Sequence, residues 1–177
     1  METNGYTLFP TALGTCAIAW GPRGIVSVQL PDGDERALRR RIRRAAPGGH
    51  ESPPPADVRH AIEAIAALLD GEPRDLSHVV LDTERVPEFN RRVYTVARAI
   101  PPGETRTYGE VAERIGERGA AQAVGQALGR NPFPIVVPCH RVLAAGRGLG
   151  GFSAPGGVAT KRRMLAIEGA AAPTLFA

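Results

Sequence analysis

The stretch TYGEVAERIGERGAAQAVGQALGR, residues 107–130, decides how the second half of this chain folds. Thr107 stands where a helix N-cap is expected, with Glu110 at the capping-box position three residues on. Tyr108, Val111, Ala112 and Ile115 then recur at helical spacing and define an inner face that runs to Gly116. The short turn Glu117-Arg118-Gly119 leads into 120–130, where Val124 and Leu128 face inward among alanines and glycines. Two short helices joined by a tight, glycine-containing turn form the helix-turn-helix pattern. Many helical hairpins bind nothing, so the pattern alone leaves DNA binding open.

Working outward, residues 88–100 carry Phe89, Val93, Ala97 and Ile100 on one helical face, and Pro101-Pro102-Gly103 stops that helix. Before it, DTERVPEF (82–89) reads as a domain boundary. The amino-terminal part opens with two β-rich runs, TCAIAW and IVSVQL, flanking the turn signal GPRG at 21–24, which predicts a hairpin and the start of a small sheet. In DERALRRRIRRAA (34–46), Leu38 and Ile42 lie four apart among five arginines between 39 and 44. This predicts an amphipathic helix whose outer face is either simply solvated or a phosphate-binding surface. PGGHESPPPA (47–56) is a turn-rich loop, and Val58, Ile62, Ile65 and Leu69 mark a second helix ended by Gly71. HVVLDT (78–83) is expected to be a further strand.

With 177 residues and 43% hydrophobic content, the chain can bury one good core or two small ones. Lys and Arg number 22 against 18 Asp and Glu, a balance that permits a polyanionic partner without requiring one. No run of eighteen apolar residues occurs, and METNGYTLFP lacks the basic-then-apolar layout of a secretion signal. The expectation is therefore a cytoplasmic protein with no membrane partner. Cys16 and Cys139 are too few and too far apart for a disulfide framework, and His50, His60 and His78 are isolated from one another. No metal site of standard spacing results. Cys16 and Trp20 read as core.

PIVVPCHRVL (134–143) sets Cys139 beside His140 and Arg141 after an apolar run. A thiol next to an imidazole can be a nucleophile with its base, part of a metal site, or two packing residues. An ionisable thiolate needs a neighbouring base or positive charge. In an extended segment the two side chains point to opposite faces, so His140 would act through a water and a carboxylate would orient it. Pro132, Pro134 and Pro138 stiffen the surrounding backbone. GRGLGG (146–151) does not join a strand to a helix and is not a nucleotide-binding fingerprint.

RNPFPIVVPCHRV (130–142) resembles the active-site signature of the O6-alkylguanine-DNA alkyltransferases. The similarity extends through FNRRVYTVARAIPPGETRTYGEVAERIG before it and KRRMLAIEG after it, covering roughly 88–169. The resemblance implies an α+β fold: a ribonuclease H-like amino-terminal domain (1–84) with a small antiparallel sheet and helices, then a helical, winged helix-turn-helix-like catalytic domain (85–177). It implies irreversible, single-turnover transfer of the alkyl group from O6-alkylguanine, with O4-alkylthymine as a further substrate left open, onto Cys139 after base flipping. No cofactor is implied. His140 would draw the thiol proton, Glu168 hold the imidazole, Asn131 tie the helix-turn-helix to the cysteine loop, and Tyr108 donate to the leaving guanine. Val142, Ser153, Phe152 and Gly150 would approach the extruded base, and Pro134 would line the alkyl pocket. Thr107, Ala121, Gln122, Gly125, Arg130 and Arg141 are the implied DNA contacts, the small residues letting the second helix enter a minor groove. The implied partner is double-stranded DNA carrying alkylated guanine, bound by a monomer, with cooperative binding left open.

The chain departs from the family pattern at Gln122, where an arginine usually fills the gap left by the flipped nucleotide. Glutamine gives up guanidinium stacking and charge, for which Gln126 or Arg130 would have to compensate. Phe152 replaces a usual tyrosine, and GFSAPGGVATK (151–161) is about two residues longer than the common form. A non-catalytic lesion sensor, a helix-turn-helix regulator and a base-excising enzyme are the competing readings. Retention of Cys139 favours transfer.

Overall fold

The computed structural model describes residues 4–148 and 157–170, and the chain divides into two compact units. One comprises residues 1–85 with 132–136; the other comprises 86–131 with 137–177. No helix among the described residues is long and apolar enough to cross a membrane.

The first unit is built on a four-stranded sheet in the order β3-β2-β1-β4. β1 (Gly5–Thr11), β2 (Gly14–Gly21) and β3 (Gly24–Gln29) pair antiparallel, with a register shift between Ala19 and Trp20. The predicted hairpin is β2-β3. β1 was not among the predicted strands; its Pro10 is tolerated because beyond Tyr6 β1 has a neighbour on one side only. Residues Cys16 to Trp20 of the central strand are all buried. Alternation sends Ala17 and Ala19 to one face, where they pack with Tyr6 against Leu38, Ile42 and Ala46 of the first helical segment. Cys16 and Ile18 point to the other. Burial on both faces is why TCAIAW reads as a continuous apolar run.

Helix α1 (Glu35–Ala45) is capped by Asp34, whose side chain accepts from the Ala37 N–H at 2.7 Å. The 47–56 loop contains a two-residue strand, β4 (His50–Glu51), which pairs parallel to β1 and makes the expected antiparallel sheet mixed. Helix α2 (Ala56–Leu69) buries Val58, Ala61, Ile65, Leu68 and Leu69, and Gly71 follows it at φ 96°. The strand expected at 78–83 does not form: Leu81 makes a single parallel bridge to Ile25, and Val80 is 64% exposed. The edge of β3 has little left to offer it. Ile25 exchanges bonds with Val80 and Asp82, but the Val28 N–H already donates to the carbonyl of Pro132. In that 132–136 segment Ile135 holds φ 77° while almost fully buried, a left-handed backbone that β-branched residues rarely adopt.

In the second unit, α3 (Glu88–Arg98), α4 (Tyr108–Arg114) and α5 (Ala121–Gly129) pack on one another, α4 and α5 forming the helix-turn-helix. Val111, Ala112, Val124 and Leu128 are buried as their spacing predicts. The buried Tyr94 hydroxyl donates to the carbonyl of Ala127 at 2.7 Å, fixing α3 to α5, and burial pushes this phenol up to about 12. Arg92 donates to the carbonyl of Ile115 and pairs with Glu117, closing the end of α4. β5 (Arg106–Thr107) pairs parallel with β6 (Val142–Leu143), and α6 (Gly157–Ile167) completes the described elements.

Both halves of the capping box are present: the Glu110 N–H donates to Thr107 Oγ1 at 3.1 Å, and the Thr107 N–H to Glu110 Oε2 at 3.2 Å. Thr107→Ala is expected to cost about 1 kcal/mol. The cost reads out as a lower urea midpoint at unchanged m; an unchanged midpoint contradicts the assignment.

Candidate functional site

The site grows from the end of α6. Lys161, Met164 and Leu165 are buried at helical spacing, and Glu168 continues that face just past the helix. Gly169, at φ 72°, ends it: its N–H bonds to Ala166 O at 3.1 Å and that of Ala170 to Leu165 O at 3.0 Å. This is the Schellman arrangement, completed by packing of Leu165 with Ala170 and Leu143. Only glycine adopts that backbone at no steric cost, and the motif fixes where Glu168 leaves the helix.

The Glu168 side chain is 2% exposed and serves two neighbours. Arg141 grips it with both edges of its fork, Nε to Oε2 at 2.9 Å and Nη2 to Oε1 at 2.8 Å, while Nη1 donates to Ile100 O at 2.7 Å. His140 Nε2 lies 2.7 Å from Oε1. Read alone, Glu168 is a surface charge; here it is a buried acid held between a cation and an imidazole. Arg141, expected to contact DNA, is corrected: its side chain is 6% exposed and fully committed to Glu168 and Ile100. A buried guanidinium requires such partners.

Burial opposes the Glu168 charge, but hydrogen bonds from His140 and Arg141, with the positive charge of Arg141, outweigh it and hold the carboxyl down to about 2. Burial pushes the His140 imidazole down, against the pull of Glu168, so the ring is neutral at pH 7. An ionised carboxylate can only accept, so the ring proton sits on Nε2. Nδ1 is then a buried lone pair with no partner among the described protein groups.

Cys139 opens a 3₁₀ turn, Cys139–Arg141, so the condition of an extended segment does not hold here. The Arg141 N–H closes it on Pro138 O at 2.9 Å. The residue is 8% exposed. Burial pushes its thiol up, opposed by the Asn131 side chain, the charge of Lys161 and the amides of Cys139 and His140. The resting group is the thiol. Asn131 also donates to Val137 O at 2.9 Å, joining the end of α5 to the chain that enters the turn.

Lys161 is the functional candidate that sequence reasoning missed. It is 1% exposed, donates to Val142 O at 2.7 Å and stands 5.8 Å over the Tyr108 ring. Burial lowers it to about 8, partly offset by Cys139. Within KRRMLAIEG it reads as part of a basic surface, yet the spacing 161, 164, 165, 168 was the available signal. Burial, with a contribution from Cys139, raises the Tyr108 phenol. Among the described residues no group of three or more His, Cys, Asp and Glu could hold a metal ion.

Cys139, His140, Glu168, Asn131, Tyr108 and Val142 all belong to the second unit, whereas Pro134 is buried in the segment that belongs to the first. Gly150, Phe152 and Ser153 lie outside the described residues. Gln122 and Gln126 on α5 and Arg130 at its C-cap follow one another every four residues, all exposed. Ala121 and Gly125 are half-buried, and a Cβ on Gly125 would stand 4.0 Å from the Tyr108 ring. Thr107 is half-buried, and its hydroxyl accepts the cap bond.

Residues 88–170 match the family model for the DNA-binding domain of 6-O-methylguanine DNA methyltransferase. The methylated-DNA–protein-cysteine methyltransferase of Methanothermobacter thermautotrophicus is 37% identical over 152 residues, covering 86% of this chain and 78% of that protein. The chain belongs to the methylated-DNA–protein-cysteine methyltransferase family. The Mycobacterium bovis methyltransferase is 44% identical over 130 residues, 72% of this chain and 76% of the relative. Among solved structures, Mycobacterium tuberculosis OGT in complex with DNA matches with a TM-score of 0.75 and 32% identity, covering 96% of each chain. The O6-methylguanine-DNA methyltransferase of Pyrococcus kodakaraensis strain KOD1 matches at 0.69 and 26%, covering 93% of this chain and 99% of that one.

In this methyltransferase-family chain the depressed Glu168 carboxyl makes a pH prediction. An ordinary glutamate titrates near 4.5 and this one near 2, so its contribution is fully present above about 4.5 and is lost as the pH falls through about 2. The loss is on the order of 3 kcal/mol. Glu168→Gln removes that part of the profile and leaves Arg141 unpaired, costing roughly 3 kcal/mol at neutral pH. Denaturation midpoints across pH 2 to 7 check both; the same acid slope in both proteins contradicts the assignment.

Proposed function

We propose that this chain repairs DNA by direct reversal, taking the alkyl group from O6 of an alkylated guanine onto Cys139 in a single turnover. The observation that carries the reading is the neutral His140 held by Glu168 through Nε2, with Nδ1 left as a base next along the chain to a thiol whose pKa burial raises. Such a thiol does not ionise unaided, so the imidazole must take its proton. The sulfur then attacks the alkyl carbon, an S–C bond forms, the C–O6 bond breaks and its electron pair stays on the purine oxygen. The leaving guanine takes a proton, for which the Tyr108 hydroxyl is the donor in this reading. No cofactor enters the balance, and the alkylated cysteine is not regenerated.

The target is inside a duplex and must leave the stack, at a cost of a few kcal/mol. The exposed face of α5, with Gln122, Gln126 and Arg130, is the reading's DNA surface; Gln122 enters the place of the extruded nucleotide without the charge an arginine would bring. Residues 85–177 act as the DNA-binding and transfer domain of a monomer, and residues 1–84 as a structural domain. The names of the relatives support methylated DNA as substrate, and the solved complex of the Mycobacterium tuberculosis relative with DNA supports DNA binding.

Duplex DNA labelled in the methyl group of one O6-methylguanine tests this. The expected result is one label per protein, on Cys139, with no turnover beyond it, and none on Cys139→Ala. Label released as a free base, or bound DNA with its methyl group intact, overturns the reading.

A further inference from the structure

The arginine-rich helix α1 takes no part in the site described above, and its charge is distributed in a way that folding does not explain. Residues 1–85 hold ten arginines, no lysine and twelve acidic residues, yet six of the ten arginines lie in Glu35–Ala45. Three of the six have partners within the unit. Arg39 pairs with Glu35 and Glu51, each at 3.2 Å; Arg41 pairs with Asp32 at 3.3 Å; Arg43 donates to the Tyr6 hydroxyl at 2.8 Å and lies over its ring. The other three, Arg36, Arg40 and Arg44, are exposed and have no hydrogen bond or ion pair among the described residues. They stand at i, i+4 and i+8, so they form one row, each member about 6 Å along the axis from the last and turned by about 40°.

The row works against the helix that carries it. Like charges one turn apart repel, and Arg36 sits in the first turn, where the helix dipole disfavours a cation. The nearby acids are already engaged, Asp34 in the N-cap and Glu35 with Arg39. An unneutralised row of guanidinium groups on an otherwise acidic unit matches a regular array of negative charges. One DNA strand offers a phosphate per about 3.4 Å of axis, so the 12 Å or so of the row spans three of them. Guanidinium groups on long, exposed stems read charge density and not a small ligand.

We infer that Arg36, Arg40 and Arg44 form a second phosphate-contacting surface for duplex DNA, on a different unit from the helix-turn-helix. The inference rests on the DNA-repair reading above and adds to it a contact that positions no base. Its signature is electrostatic: the affinity of the full chain for unmethylated duplex should depend on salt more steeply than the helix-turn-helix unit alone would require.

The test compares plots of log K against log salt for the wild-type chain, R36Q/R40Q/R44Q and each single variant. The triple variant should lower the slope by about 2 to 3 and each single variant by about 1. Arg74→Gln, which removes an exposed arginine paired with Glu72 at 3.1 Å, should leave the slope as it is. Thermal midpoints should not fall in the triple variant, because it relieves repulsion. An unchanged slope in the triple variant overturns the inference. So does an unchanged DNA slope with lost binding to vesicles of anionic phospholipid, which would assign the row to a membrane surface. Label transfer from methylated duplex, measured on the same wild-type preparation, separates the two failures: transfer with no slope change sinks this inference alone, whereas no duplex binding by the wild type sinks the repair reading with it.

Discussion

The buried pairing of Arg141 with Glu168 is the constraint on which the site depends. A carboxylate that is 2% exposed survives as an anion only because a two-pronged guanidinium and an imidazole N–H supply hydrogen bonds in place of water. Each partner is in turn held by backbone. Arg141 is anchored to the carbonyl of Ile100 and rides on the 3₁₀ turn, while Glu168 is set by the left-handed Gly169 at the end of α6. A buried ion pair of this kind adds little net stability over an apolar replacement. Its contribution is orientation: it fixes which nitrogen of His140 carries the proton.

Burial gives the remaining groups a common logic. It raises the Cys139 thiol, lowers the His140 imidazole and lowers the Lys161 ammonium to about 8, so each drifts toward its neutral form. Charge is expensive here unless it is paired. Forming a thiolate in such a place requires a base at hand and compensating dipoles. The Asn131 amide, the amides of the 3₁₀ turn and the charge of Lys161 are the groups that favour the anion. Positioned before reaction, they need not reorganise when the charge appears.

The helix-turn-helix was legible because its signals are local: a capping box at Thr107 and Glu110, and an apolar face that repeats with the helix. The α2 stop at Gly71 is of the same kind. What could not be read depends on partners distant in sequence. Residues 78–83 have the composition of a strand but lack a free edge, since the Val28 N–H is taken by Pro132, more than a hundred residues away in sequence. Arg141 was expected to contact DNA on the family resemblance alone; its acid is Glu168, and neither burial is visible until α6 packs on the turn. Lys161 was hidden by Arg162 and Arg163, both exposed, although its spacing from Met164 and Leu165 marks the inner face. The 3₁₀ turn at Cys139 follows Ile135 to Val137, all β-branched, a composition that favours extended chain and carries no local signal for the turn.

The proposed transfer depends on the state of one ring. Nitrogen-15 NMR of His140 in the resting protein measures it directly, since the shifts of the two ring nitrogens separate a protonated from a lone-pair nitrogen. The result required is a neutral ring at pH 7 with its proton on Nε2 and a lone pair on Nδ1. An imidazolium, or a proton on Nδ1, would mean that the Glu168 carboxylate does not set the tautomer and that His140 has no basic nitrogen to offer the thiol.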